Sequence, residues 1–166
     1  MKLKLNYFVI PLLVFGVAAV GTVFTTANLA TWYKTLTLPS FAPAGQIIGL
    51  IWTTLYVMIA ASIIYFWNNV KHDRTIGKIL VLFAVNGFLN AFWSFVFFGS
   101  HLVYEAIFVS AAMALTIYLL VYLILQIPAQ GVARKSLRTS AYLLIPYAAW
   151  VTFATYLNYV IFSLNK

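Results

Sequence analysis

The chain has 166 residues, 64% hydrophobic content, a mean hydropathy of +0.99 and only 7% charged residues, more apolar surface than a soluble domain of this length buries. A net charge of +8 would point to nucleic acid in a soluble protein, but here the ten Lys and Arg residues stand at the ends of long apolar runs, and no nucleic-acid partner is expected. With no cysteine, disulfides, thiolate nucleophiles and cysteine-based metal sites are excluded.

Five charge-free runs, 5–33, 35–70, 79–104, 106–133 and 139–165, separate the charges. A helix rising about 1.5 Å per residue needs roughly 20 apolar residues to cross a hydrocarbon core of about 30 Å, so each run holds one span. Backbone groups cannot stay unpaired in lipid, and the runs lack the alternation of barrel strands. The expectation is an all-α membrane protein, a bundle of five transmembrane helices in a single domain over 1–166. Its spans are placed near 5–27, 44–69, 76–99, 102–126 and 138–163.

The first span follows Lys2 and Lys4 as a secretory signal would. It exceeds a signal core of about 7–15 residues and four further spans follow, so it is expected to be retained. The N-terminus, Lys71, Arg74 and Lys78, and the 127–138 connection share one side and carry eight of the ten basic residues; only Lys34 and Lys166 lie opposite. By the positive-inside rule the N-terminus is expected in the cytoplasm of a bacterial cell and the C-terminus outside, with membrane lipid as a partner of the basic residues.

The connection 28–43 is too long for a tight turn and too apolar to be purely solvated, so it is expected to fold back on the bundle. Trp32 and Tyr33 suit the membrane interface, and Pro39 and Pro43 restrict the backbone before the second helix. Two readings stand: an aromatic anchor, or a lid over an external opening.

The second helix opens with the small pair Gly45 and Gly49, and then places Trp52, Tyr56 and Ile59 on one face at spacings of four and three. In the third, Asn86, Asn90, Trp93 and Phe97 recur at four, three and four, so two amides and two rings share a stripe. Amides at membrane depth need partners inside the bundle: they are interhelical ties, or the polar points of a cavity wall that Trp93 completes. Gly87 and Ala91, beside Ala84 and Ser94, form another small-residue face, for a homodimer through helix three or for packing within one chain.

The fourth helix carries Glu105 near its start, where a helix dipole favours an acid. In the fifth, Trp150, Ala154, Leu157 and Asn158 lie along one side, and Pro146 can kink the helix and open a groove. His72 and His101 fall in connections without a second ligand at metal spacing, and Asp73 sits among basic residues, so no metal site is expected. No carboxylate lies deep in a span, which argues against a proton-coupled pump, and neither G-x-S-x-G nor H-E-x-x-H is present.

Four separated motifs then carry a resemblance. They are Trp32-Tyr33-x-x-Leu36-x-x-Pro39-Ser40-x-x-Pro43, Trp52-x-x-Leu55-Tyr56, Asn86-x-x-x-Asn90-x-x-Trp93-Ser94, and Leu144-Ile145-Pro146-Tyr147-x-x-Trp150-x-x-Phe153-Ala154-x-x-Leu157-Asn158. In this order they resemble the TspO/MBR family, the tryptophan-rich sensory proteins, whose mitochondrial members are called translocator protein or peripheral benzodiazepine receptor. The resemblance implies a receptor or carrier, often homodimeric, that binds porphyrin-like ligands such as protoporphyrin IX or haem in a pocket under the first loop and requires no cofactor. By motif position the lining would include Trp32, Trp52, Asn86, Asn90, Trp93, Tyr147, Trp150 and Ala154, with Tyr56 and Leu157 on the same faces. It also carries an alternative, light-dependent porphyrin degradation, for which Trp32 and Trp150 are the catalytic candidates. Two departures stand out. Family members often carry an acid inside helix four where this chain reads Ile107-Phe108-Val109-Ser110, and the sterol pattern at Tyr159 has six residues before Lys166, one too many.

Overall fold

The computed structural model describes residues 4–70 and 74–166; Lys2, Lys71, His72 and Asp73, weighed above, lie outside them. The described residues form helices α1 (Asn6–Leu29), α2 (Gly45–Asn69), α3 (Arg74–Ser94), α4 (Val103–Gln126), α5 (Gly131–Leu143) and α6 (Ile145–Leu164). A short 3-10 turn, Trp32–Thr35, lies in the first loop, and a π-helical turn, Phe95–Gly99, extends α3. Five segments are long and apolar enough to cross a membrane: α1, α2, α3 with its π turn, α4, and α5 with α6. The chain is an all-helical membrane protein.

The fifth segment begins at Gly131, seven residues before the expected start at 138, because a charge does not end a helix at the membrane surface. Arg134, Lys135 and Arg138 turn outward on α5 while Leu137, Ser140 and Ala141 are buried, so the charged heads stay wet as the apolar side packs. The break between α5 and α6 falls at Leu144, two residues before Pro146. Lacking an N–H, Pro146 cannot bond the Tyr142 carbonyl, and the proline instead occupies the first turn of α6, where the donor is not needed.

The helices close into a ring. α1 packs on α2 and α3, α3 on α4, α4 on both α5 and α6, and α5 on α2. α4 runs through the core: Met113, Ile117, Leu120 and Ile124 are almost fully buried, and Phe66, Leu137, Tyr147 and Val151 pack around them. α2 and α5 cross at two small residues. The Ser62 hydroxyl donates to the Ser140 carbonyl and the Ser140 hydroxyl to the Ser62 carbonyl, both at 2.9 Å, in a fully buried reciprocal pair.

At the opposite end, Val96, Phe97, Phe98, Leu157 and Ile161 form a second buried cluster. The first loop lies over it, as the sequence led us to expect. Asn165 clamps the loop to the end of α6, accepting from the Thr37 amide at 2.8 Å and donating to the Thr37 carbonyl at 2.9 Å.

Candidate functional site

A cavity of about 550 Å³ lies between the N-terminal half of α1, the C-terminal half of α2 and the stretch of α3 from Leu80 to Asn90. Ile10, Leu13, Val14 and Val17 form its α1 wall, with Ile59, Ile63 and Trp67 from α2, and Leu80, Phe83 and Ala84 from α3. Its walls are overwhelmingly apolar. Polar groups gather at one end, near the middle of the bundle, where Tyr56, Asn86, Asn90 and Tyr147 meet.

These four residues form one hydrogen-bonded network. The Tyr56 hydroxyl donates to Asn90 Oδ1 at 2.7 Å, and the Asn90 amide donates to the Tyr147 hydroxyl at 3.3 Å and to Met113 Sδ at 3.6 Å. The Tyr147 hydroxyl in turn donates to Asn86 Oδ1 at 3.0 Å. Asn86 Nδ2 completes the chain, donating to the Thr116 hydroxyl at 2.8 Å and the Met113 carbonyl at 3.1 Å. Four helices, α2, α3, α4 and α6, are thereby tied at membrane depth, where each unmade bond would leave a polar group in hydrocarbon. The two amides are therefore both ties between helices and the polar end of a cavity.

The structure divides the ten expected lining residues. Tyr56, Asn86, Asn90 and Tyr147 line the cavity; Trp32, Trp52, Trp93, Trp150, Ala154 and Leu157 do not. Trp52 lies one turn further on, stacked on Tyr56 at 5.7 Å and edge-on to Tyr147 at 6.1 Å, so it backs the network. Trp93 stacks on Phe97 at 5.1 Å, Trp150 leans on Phe153 at 5.4 Å, and Leu157 is buried in the loop-side cluster. Ala154, half-buried, belongs to the same stretch of α6.

Trp32 is held in the loop by three rings. His101 stacks on it at 4.2 Å and 14°, and Phe97 and Phe98 meet it edge-on. His101 is exposed but pinned: its Nε2 also lies 3.0 Å from Asn28 Oδ1, and its backbone takes a φ of 59°. Burial pushes the phenol of the neighbouring Tyr33 above its usual range, so that ring stays neutral.

Three buried N–H donors on the loop side have no acceptor: Trp93 Nε1, Trp150 Nε1 and Asn158 Nδ2. A fourth, Asn6 Nδ2, lies at the far end of the cavity. Such groups are costly when left unpaired in an apolar interior. Sequence reasoning passed over Asn6 and Trp67, both at span ends; the signal was a polar and an aromatic residue at one depth on consecutive antiparallel helices.

The small face of α3 is occupied within the chain. A Cβ at Gly21 of α1 would come within 2.9 Å of the Ser94 hydroxyl, and one at Gly87 would stand 3.5 Å from Val17. The face of α3 left exposed is instead large and apolar, with Val81, Val85, Phe88 and Phe92.

Comparison with known proteins agrees with this architecture. The chain is 31% identical over 165 residues to the tryptophan-rich protein TspO of Bacillus cereus, covering 99% of this chain and 100% of that protein. It is 30% identical to the tryptophan-rich protein TspO of Chlorobaculum tepidum, over 90% of this chain and 89% of the relative. The similarity extends to the human translocator protein, at 28% identity over 88% of this chain and 82% of the relative. Residues 8–164 match the sequence model of the TspO/MBR family, and the chain belongs to that family.

Proposed function

We propose that the protein is a membrane receptor or carrier that holds a flat, hydrophobic ligand of the porphyrin type, protoporphyrin IX or haem, inside the helix bundle. The observation that carries this reading is the cavity of about 550 Å³ with apolar walls and one polar end at Tyr56, Asn86, Asn90 and Tyr147. Its size lies within the roughly 300–1,000 Å³ of small-molecule sites, and its few clustered polar groups are the usual means of fixing orientation. A tetrapyrrole has broad apolar faces and few polar edges, which suits such walls. The cavity lies on the other side of the Tyr56–Asn90 network from the first loop, beneath which the motifs led us to expect the pocket; the unpaired donors Trp93 Nε1, Trp150 Nε1 and Asn158 Nδ2 lie on that loop side and do not line the cavity. Relatives named tryptophan-rich sensory protein and translocator protein support the same class.

In this reading the N-terminus is in the cytoplasm of a bacterial cell, with Lys4, Lys78, Arg134, Lys135 and Arg138 on the inner side. A homodimer through α3 would use its exposed face around Phe88, since Gly87 and Ser94 face α1. Light-dependent porphyrin degradation has weaker geometric support, because Trp32 is held by His101, Phe97 and Phe98 and neither Trp32 nor Trp150 lines the cavity.

Titration of the purified protein with protoporphyrin IX, followed by tryptophan fluorescence, tests the proposal. Saturable quenching is expected, weakened at least about tenfold by Ala84→Phe, which fills the cavity from α3. Absence of saturation, or quenching indifferent to Ala84→Phe, would remove the cavity as the binding site.

A further inference from the structure

The cavity does not end at the apolar wall of α1. A second hollow of about 470 Å³ adjoins it on the N-terminal side of the bundle and shares Asn6, Val9 and Trp67 with it. Lys4, Leu5, Asn68 and Val70 complete this outer chamber. The two together form a passage from the membrane surface to the network at Tyr56 and Asn90. On α1 the inner lining runs from Asn6 to Val17, about 16 Å of helix at 1.5 Å per residue.

Two side chains at the mouth, Lys4 and Asn6, offer donors. Lys4 Nζ is drawn over the mouth by its bond to Asn68 Oδ1 at 3.2 Å, which links the start of α1 to the end of α2. An ammonium carries three donors, so this bond leaves capacity for an anion. Asn6 Nδ2 is buried and donates to nothing. Among the described residues, the first turn of α1 carries no side-chain cap and no acid to meet the positive end of its 24-residue helix dipole. The one acid among the described residues, Glu105, lies at the start of α4, at the other end of the bundle.

We infer that this passage admits amphipathic anions from the N-terminal side, the apolar part lying along α1, α2 and α3 and the carboxylate or phosphate resting at Lys4 and Asn6. The inference rests on the receptor reading above and adds to it an entrance and a required head-group charge. A neutral head group could accept from Asn6 Nδ2 but would bring Lys4 no opposite charge; a carboxylate or phosphate offers both. Two sources share this chemistry, a free carboxylate amphiphile and an anionic lipid of the adjoining leaflet.

Trp67 alone of the five tryptophans lines the passage, which makes it a built-in reporter. The full chain in phosphatidylcholine nanodiscs is titrated with dibromostearate and with dibromostearyl alcohol, whose bromines quench indole at short range. The component of quenching absent in Trp67→Phe isolates the passage. We expect the anion to quench at about fivefold lower concentration than the alcohol, and Lys4→Gln or Asn6→Leu to erase that preference. Nanodiscs containing dibrominated phosphatidylglycerol, against dibrominated phosphatidylcholine, separate the sources. A Lys4-dependent excess with phosphatidylglycerol identifies the lipid, and its absence beside a positive dibromostearate result identifies the free amphiphile. Equal potency of acid and alcohol, or indifference to Lys4→Gln, overturns the anionic mouth. If protoporphyrin IX binds in the presence of that outcome, the receptor reading survives; if neither probe nor porphyrin saturates, both fall.

Discussion

Replacing Asn90 and Tyr56 together should cost less stability than the two single changes added, because each single change orphans its partner in a low-dielectric interior. Tyr56→Phe removes the 2.7 Å bond and leaves Asn90 Oδ1 without a donor. Asn90→Leu removes the same bond, together with those to Tyr147 and Met113, and leaves the Tyr56 hydroxyl unsatisfied. Interhelical hydrogen bonds in membranes average about 0.6 kcal/mol and reach about 1.7, while an unsatisfied buried group costs about 1–3 kcal/mol. Each single change is therefore expected to cost about 1–2 kcal/mol. In the double variant neither orphan exists. Only the weaker contacts to Tyr147 and Met113 are lost, so the total should also be about 1–2 kcal/mol, a coupling of about 1 kcal/mol. Reversible unfolding by sodium dodecyl sulfate in mixed micelles, followed by circular dichroism, gives the four free energies of the cycle. Additivity within about 0.5 kcal/mol would refute the network as an energetic unit.

At the α1–α3 contact, Gly21→Ala should destabilise by about 1–2 kcal/mol through its clash with the Ser94 hydroxyl at 2.9 Å, and Ser94→Ala should recover most of the loss in the same unfolding assay. Ser140→Leu should prevent the α2–α5 crossing and cost more than about 3 kcal/mol, since it both removes the reciprocal bonds to Ser62 and forces a large side chain into a fully buried gap; the purified variant is expected to show early thermal aggregation. His101→Ala should remove the stack on Trp32 and the tie to Asn28, worth about 0.5–1.5 kcal/mol, and raise deuterium uptake over 30–44 while leaving 103–126 unchanged.

Much of the fold was legible because lipid imposes a simple rule: long charge-free runs become helices. The amide stripe was legible for the same reason, since Asn86 and Asn90 at membrane depth require partners, and Tyr147 and Tyr56 sit among the motifs that supply them. The start of α5 was not legible from charge, because Arg134, Lys135 and Arg138 occupy one side of a helix whose other side is buried. The Ser62–Ser140 crossing was hidden as well. Isolated serines in an apolar run carry no periodic signal, and only the tertiary approach of α2 to α5 makes both of them donors and acceptors at once. The stacked pair of Trp32 and His101 joins two connections that no periodicity relates.

The location of the cavity follows from how α1 is held. Within a bilayer, lipid is as apolar as leucine, so no hydrophobic force presses α1 against its neighbours; close packing alone does so. In the second half of α1 that packing is available, because Gly21 meets Ser94 and Phe24 meets Phe95 at 5.3 Å. In the first half, α3 presents the bulky Leu80 and Phe83 before the small Ala84 and Gly87, and α1 does not close on it there. There α1 is secured mainly to α2, through Ile10, Val14 and Ala60. A helix fixed closely to α3 at one end and to α2 at the other must leave a wedge of space between α2 and α3. That wedge is the cavity, and its inner limit is set where Tyr56 and Asn90 close the gap with a 2.7 Å hydrogen bond. The same reasoning explains why the tryptophans named by the motifs lie beyond it: they occupy the half of the bundle where α1 and α3 already touch.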